Sequence, residues 1–111
     1  MTSADGDRLR RLDDPEYPAF PMSQAAELLG VQAAFLRSLD AAGVLAPHRS
    51  PGGHRRYSRA QLETASRLRE LLDGGHTLAS AEVIVALQDQ LADARADLRS
   101  AEEQLRTEQD R

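Results

Sequence analysis

The chain has 111 residues, a formal net charge of −4, no Cys, no Trp and an aromatic content of 4%. Lack of Cys excludes disulfides, zinc–thiolate centres and thiol redox sensing, and no apolar run is long enough to span a membrane. So few aromatics predict a thin core that gains stability by oligomerisation.

Residues 1–16 mix both charges without apolar periodicity. They predict a flexible tail with no signal-peptide core, and hence a cytoplasmic protein. Order is expected from Tyr17 and Phe20, which can pack as anchors. MSQAAELLG predicts a short helix: Ser23 suits its N-cap, Ala25, Ala26, Leu28 and Leu29 form an apolar stripe, and Gly30 suits a left-handed stop. QAAFLRSLDAAG repeats the pattern, with Phe35, Leu36 and Leu39 at helical spacing and Gly43 as the stop. Two helices joined by about three residues have the layout of a helix-turn-helix.

Past Val44–Pro47 comes HRSPGGHRRYS. Ser50-Pro51-Gly52-Gly53 is turn chemistry, because Pro presets the first central residue and the Gly after it accepts positive φ. Its β-prone flanks predict a small hairpin. Ser58 and Gln61 then have capping-box spacing, and Tyr57 and Leu62 have hydrophobic-staple spacing, so a third helix starts at Ser58 and stops at Asp73-Gly74-Gly75. Thr77 caps a last helix reaching nearly to the end. Its apolar positions Ile84, Leu87, Leu91, Ala94, Leu98, Ala101 and Leu105 follow an a/d heptad pattern over three repeats. Such a seam either folds back on its own domain or meets a partner helix. Acidic flanks favour the partner, and small Ala at alternate positions favours an antiparallel pair.

Charge is unevenly placed. Residues 37–72 carry seven Arg against Asp40, Glu63 and Glu70, whereas residues 1–36 carry three Arg against six acids and residues 73–111 four against nine. Overall acidity argues against a nucleic-acid partner, and the middle third argues for one. All fourteen basic residues are Arg, which suits phosphate recognition.

This order of parts, with the segments AAELLGV, FLR..D..GVL, R.PGGHRRYS..QL and RLRELLDGGHTLA, resembles the MerR family of bacterial transcription regulators over about residues 19–108. The arrangement is similar to small actinobacterial members, including heat-shock repressors of the MerR class. The resemblance implies a mainly α fold: a winged helix-turn-helix DNA-binding domain over residues 17–80, then a dimerising coiled-coil helix over 81–111. It implies a homodimer, joined by an antiparallel coiled coil, on a pseudo-palindromic site in double-stranded promoter DNA, with RNA polymerase or another regulator as further partners. By position, Arg37 falls on the recognition helix, Arg49, His54, Arg55 and Arg56 on or beside the wing, and Tyr57 at its base. Two departures stand out. Ser38 and Leu39 replace a pair of aromatics common in the family, which removes a tyrosine–phosphate contact. No effector domain or Cys loop is expected after the coiled coil, so the ligand sensing of larger members is not expected to carry over.

The chemistry agrees with that reading. A hairpin is narrow enough to lie along a groove, and Gly52 and Gly53 let its backbone approach DNA closely. Strand alternation points His54 and Arg56 one way and Arg55 and Tyr57 the other. One of Arg55 and Arg56 should therefore face DNA while the other braces the recognition helix or a nearby acid. Gln32 can read adenine, Arg37 guanine or phosphate, and the Ala33 and Ala34 methyls a thymine methyl, while Phe35 suits the core. With so few base readers, DNA shape would carry much of the specificity. Arg67 and Arg69 suit DNA or the helix acids Glu63, Glu70 and Asp73 equally. His48, His54 and His76 without Cys make no zinc set, and no nucleophile–base pair or carboxylate dyad stands out. The expectation is no enzyme, no metal, no cofactor and no membrane partner. Two functions from different classes remain: a dimeric DNA-binding regulator associated with the nucleoid, or a coiled-coil interaction module that heterodimerises with another regulator.

Overall fold

The computed structural model describes residues 9–111. Its elements are strand β1 (Phe20–Pro21), helices α1 (Met22–Leu29) and α2 (Ala33–Ala41), strands β2 (His48–Arg49) and β3 (Arg55–Tyr57), and helices α3 (Arg59–Asp73) and α4 (Leu78–Gln109). Contacts divide the chain into two units, the first ending at Glu70 and the second running from Leu71 to Arg111.

In the first unit, α1 buries Ala25 and Ala26 and packs on α2, which buries Leu36 and Leu39. Alanine on the buried face of α1 keeps that face flat. Both helices stop the same way. Gly30 (φ 67°) and Gly43 (φ 72°) take the left-handed conformation that side chains disfavour. The N–H groups of Val31 and Val44 then donate back to Ala26 O at 3.0 Å and Leu39 O at 2.9 Å. Residues 30–32 are the turn of the helix-turn-helix. The start of α1 corrects the expectation at Ser23. Pro21 holds the N-cap position and offers no capping side chain, and Ser23 lies inside the first turn. The reason is tertiary: pairing of Pro21 with Arg56 sets the chain direction one residue before the helix.

The sheet has the order β1-β3-β2, with both pairings antiparallel. β1 has no sequence signature. Two residues are too few to alternate, and Pro21 cannot donate to a ladder, which confines it to an edge. Phe20 lies opposite Tyr57, and Tyr57 is fully buried together with Leu68 and Ala65 of α3. Of the expected tail, residues 1–8 lie outside the described residues. Residues 9–16 carry hydrogen-bonded turns, and Pro15 O accepts from Ala60 N–H at 2.9 Å, which ties this segment to the first turn of α3.

The start of α3 is a reciprocal capping box. Gln61 N–H donates to Ser58 Oγ at 3.1 Å, and Ser58 N–H donates to Gln61 Oε1 at 3.0 Å. Gln61 Nε2 also donates to Ala46 O at 2.6 Å, so one side chain fastens the helix and the approach to the wing. In the second unit, Ser80 N–H donates to Thr77 Oγ1 at 3.1 Å and opens α4. At 32 residues α4 is about 48 Å long. Ala81 and Val85 near its start are buried, whereas Leu87, Leu91, Leu98 and Leu105 are each at least 50% exposed. Ala94 and Ala101 are exposed and Ile84 is half-buried.

Ser58 is fully buried, and its hydroxyl accepts from Gln61 N–H at the start of α3. Ser58→Ala should therefore lower stability by about 1–2 kcal/mol. Thermal unfolding followed by circular dichroism checks this as a fall in Tm of several degrees.

Candidate nucleic-acid interface

The wing is built by its turn. Gly53 N–H donates to Ser50 O at 2.8 Å, Ser50 N–H donates to His54 O at 2.9 Å, and His54 N–H donates to Ser50 Oγ at 3.2 Å. Positive φ falls at Gly53 (81°) and not at Gly52, one residue later than the Pro-Gly pair suggests. That geometry matches a three-residue loop closed by a left-handed glycine. Gly53 has open space around it, so its backbone is accessible.

Register then divides the arginines. Arg49 lies opposite Arg55, and His48 lies opposite Arg56. Arg55 and Arg49 turn inward to Asp40 of α2. Arg49 Nη2 is 3.1 Å from Asp40 Oδ2, and Arg55 Nε is 3.7 Å from the same oxygen. Arg55 Nε is buried and makes no hydrogen bond, so at 3.7 Å the link to Asp40 is an ion pair only. Arg56 and His54 are exposed on the opposite side of the strand. The alternative posed by the sequence thus has a structural answer: Arg55 is the brace and Arg56 is the outward residue.

Tyr57 requires a correction. Grouped by its position with the DNA-contacting residues, it is fully buried and cannot reach a ligand. Its ring fills the core between β3 and the helices, because residue alternation sends it inward with Arg55.

On α2, Gln32 occupies the N-cap position, is exposed, and makes no capping bond with its side chain. Arg37 is also exposed, and its Nη1 lies 4.0 Å from Met22 Sδ of α1. Ser38 turns its hydroxyl back to Phe35 O at 2.6 Å. Phe35 is half-buried with the Arg69 guanidinium 4.7 Å from its ring centroid, a cation–π contact. Arg69, equally suited by sequence to DNA or to helix acids, thus packs on an aromatic face.

The structure adds a component the sequence did not reveal. A cleft of about 580 Å³ opens between the start of α1 and the wing, lined by Met22 and Ser23 on one side and Arg49, His54, Arg55 and Arg56 on the other. Pro21 at the N-cap of α1 offers no side-chain acceptor to the first N–H groups of the helix. Three arginines around one cleft give it a positive potential, the sign that suits a phosphate-like anion. Only the pairing of β1 with β3 brings these groups together.

A model of the MerR HTH family regulatory protein matches residues 20–88, from β1 into α4. The chain belongs to the MerR family. It is 36% identical over 82 residues to HspR of Streptomyces coelicolor, a protein named for heat shock, covering 73% of this chain and 54% of that protein. The chain therefore spans about half the length of that relative. Among solved structures, a MerR-family transcriptional regulator from Bacillus cereus is similar with a TM-score of 0.56 at 22% identity, covering 78% of this chain and 71% of that one. HiNmlR, a MerR-family regulator lacking the sensor domain and bound to promoter DNA, is similar with a TM-score of 0.55 at 22% identity, covering 78% of this chain and 77% of that one. The family is one of helix-turn-helix regulators and not of enzymes. Among the described residues, no helix is long and apolar enough to cross a membrane.

Burial, and next the nearby Asp40 carboxylate, raise the pKa of Tyr57 above its ordinary value, against the opposing charges of Arg55 and Arg49. The buried phenol is thus held neutral. A raised folded-state pKa means this contribution is fully present below about pH 10 and is lost as pH rises further. Among the described residues the Tyr57 hydroxyl has no hydrogen-bond partner, so Tyr57→Phe should hold or raise Tm at neutral pH and lessen the alkaline loss. Melting curves from about pH 7 to about pH 11 check both effects.

Proposed function

We propose that this protein is a sequence-specific DNA-binding transcriptional regulator that acts in the cytoplasm, on the nucleoid, as a homodimer on a pseudo-palindromic promoter site. One observation carries the reading. Arg49, His54, Arg55 and Arg56 of the wing and the start of α1 line one basic cleft, and Arg37 of α2 reaches Met22 at its edge, in an otherwise acidic chain. Phosphates of duplex DNA are the polyanion that such a surface fits.

In this reading Gln32 and Arg37 enter the major groove, where an amide reads adenine and a guanidinium reads guanine or phosphate. Arg56, His54 and Arg49 hold the backbone, and Gly53 lets the wing tip come close. Arg55 is the internal brace. These contacts mostly position the protein, and DNA shape adds to the base readout.

Dimerisation follows from the α4 seam of Ile84, Leu87, Leu91, Ala94, Leu98, Ala101 and Leu105. The a positions are Ile84, Leu91, Leu98 and Leu105, and the d positions include Ala94 and Ala101. A parallel pair stacks Leu on Leu and Ala on Ala, giving layers of unequal width. An antiparallel pair sets each a residue against a d residue, so Leu faces Ala and the layers even out. Two recognition helices on one dimer would then read two half-sites. Contact with RNA polymerase or another regulator would turn such occupancy into control of transcription.

Arg56→Ala should weaken binding to every duplex and flatten the log–log salt dependence by about 0.9 for the phosphate released. Fluorescence anisotropy titrations at a series of salt concentrations check this, and an unchanged slope would remove Arg56 from the interface. Leu91→Asp with Leu98→Asp should give a monomer by light scattering. A surviving dimer, or a wild-type protein that binds no DNA at low salt, would favour the heterodimeric coiled-coil module.

A further inference from the structure

We propose that Asp40 is a positioning residue for DNA recognition: its single carboxylate grips both wing strands and fixes the wing against the recognition helix. The proposal rests on the DNA-binding reading above and assigns a role to a residue that would not touch DNA.

Asp40 lies in the last turn of α2 with its side chain only 18% exposed. Oδ2 is 3.1 Å from Arg49 Nη2 on β2 and 3.7 Å from Arg55 Nε on β3. Arg49 and Arg55 are direct cross-strand partners. Two like charges in that relation repel and tend to splay the strands. One carboxylate beneath both reverses the sign of that interaction and joins the pair to α2. Among the described residues Arg55 Nε is buried without a hydrogen bond and faces Asp40, while a third of the side chain reaches solvent. The buried Tyr57 sits on the same inward row as Arg55, which keeps the junction close to the core.

Charge alone argues against an acid at this place. A carboxylate beside a phosphate-binding face repels the ligand, so removing it should tighten binding. A positioning role has the opposite sign. It also acts selectively, because base readout requires α2 and the wing to engage together, whereas loose backbone contact does not.

The experiment uses the full chain and two duplexes of equal length: one enriched from a randomised library by the wild-type protein, and a scrambled version of it. Asp40→Asn should weaken binding to the enriched duplex by roughly tenfold while leaving the scrambled duplex as tight or tighter. Unfolding would weaken both, and circular dichroism melts identify it. If Asp40→Asn does not fold, Asp40→Glu carries the test, since it keeps the charge and moves the carboxylate by one methylene. It should lose binding to the enriched duplex only, by roughly threefold. Enriched-duplex binding that is unchanged or tighter in the folded variant overturns the proposal. Failure of the wild-type protein to enrich any duplex overturns the DNA reading itself.

Discussion

Tyr57 and Ser58 are adjacent and both fully buried, yet they serve different elements. Tyr57 ends the central strand, with β1 on one side and β2 on the other. Ser58 caps α3 through its bonds with Gln61. With no residue between them, strand and helix have little freedom to move independently. The wing therefore projects from a fixed base, and α1, which starts where β1 ends, is aligned by the same pairing. A core this small, with Tyr57, Leu36, Leu39 and Leu68 as its largest fully buried apolar side chains, depends on such a junction for a defined shape.

The electrostatics follow from that base. Strand alternation divides the wing's charge into an inner set, Arg49 and Arg55 on Asp40, and an outer set, Arg56 with His54. Each part has a distinct physical role. The Arg55–Asp40 pair is partly shielded from water and is screened less than the more exposed Arg49–Asp40 pair. The outer charges remain solvated and available to a polyanion. At 3.1 Å, with its side chain 52% exposed, Arg49 stands between the two roles.

The second unit poses a different energetic question. A long helix with half-exposed leucines in a regular seam leaves apolar area in water, and fully burying a leucine is worth about 1.5–3 kcal/mol. Several such residues on each of two helices would offset the entropy of association, which is the energetic basis for the proposed dimerisation through α4. The acidic flanks of α4 make that helix a poor partner for phosphate.

Much of this was legible in the sequence because its causes are local. Gly30 and Gly43 stop helices through their own φ. Ser58 and Gln61 cap within three residues of each other, and a heptad seam is a pattern within one helix. What was not legible depends on residues distant along the chain. β1 is a strand only because Arg56 and Tyr57 pair with it. Pro21 rather than Ser23 precedes α1 for the same reason. The burial of Tyr57 required the helices to pack on the inward side of β3, and the choice of Arg55 over Arg56 as brace required Asp40 on that same side. The sequence by itself determined the helices, the turn and the concentration of positive charge, since short-range sterics and composition are sufficient for those. Only the tertiary structure decided which arginines face outward and how the start of α1 completes the basic cleft, since strand register and burial depend on packing between segments far apart in sequence.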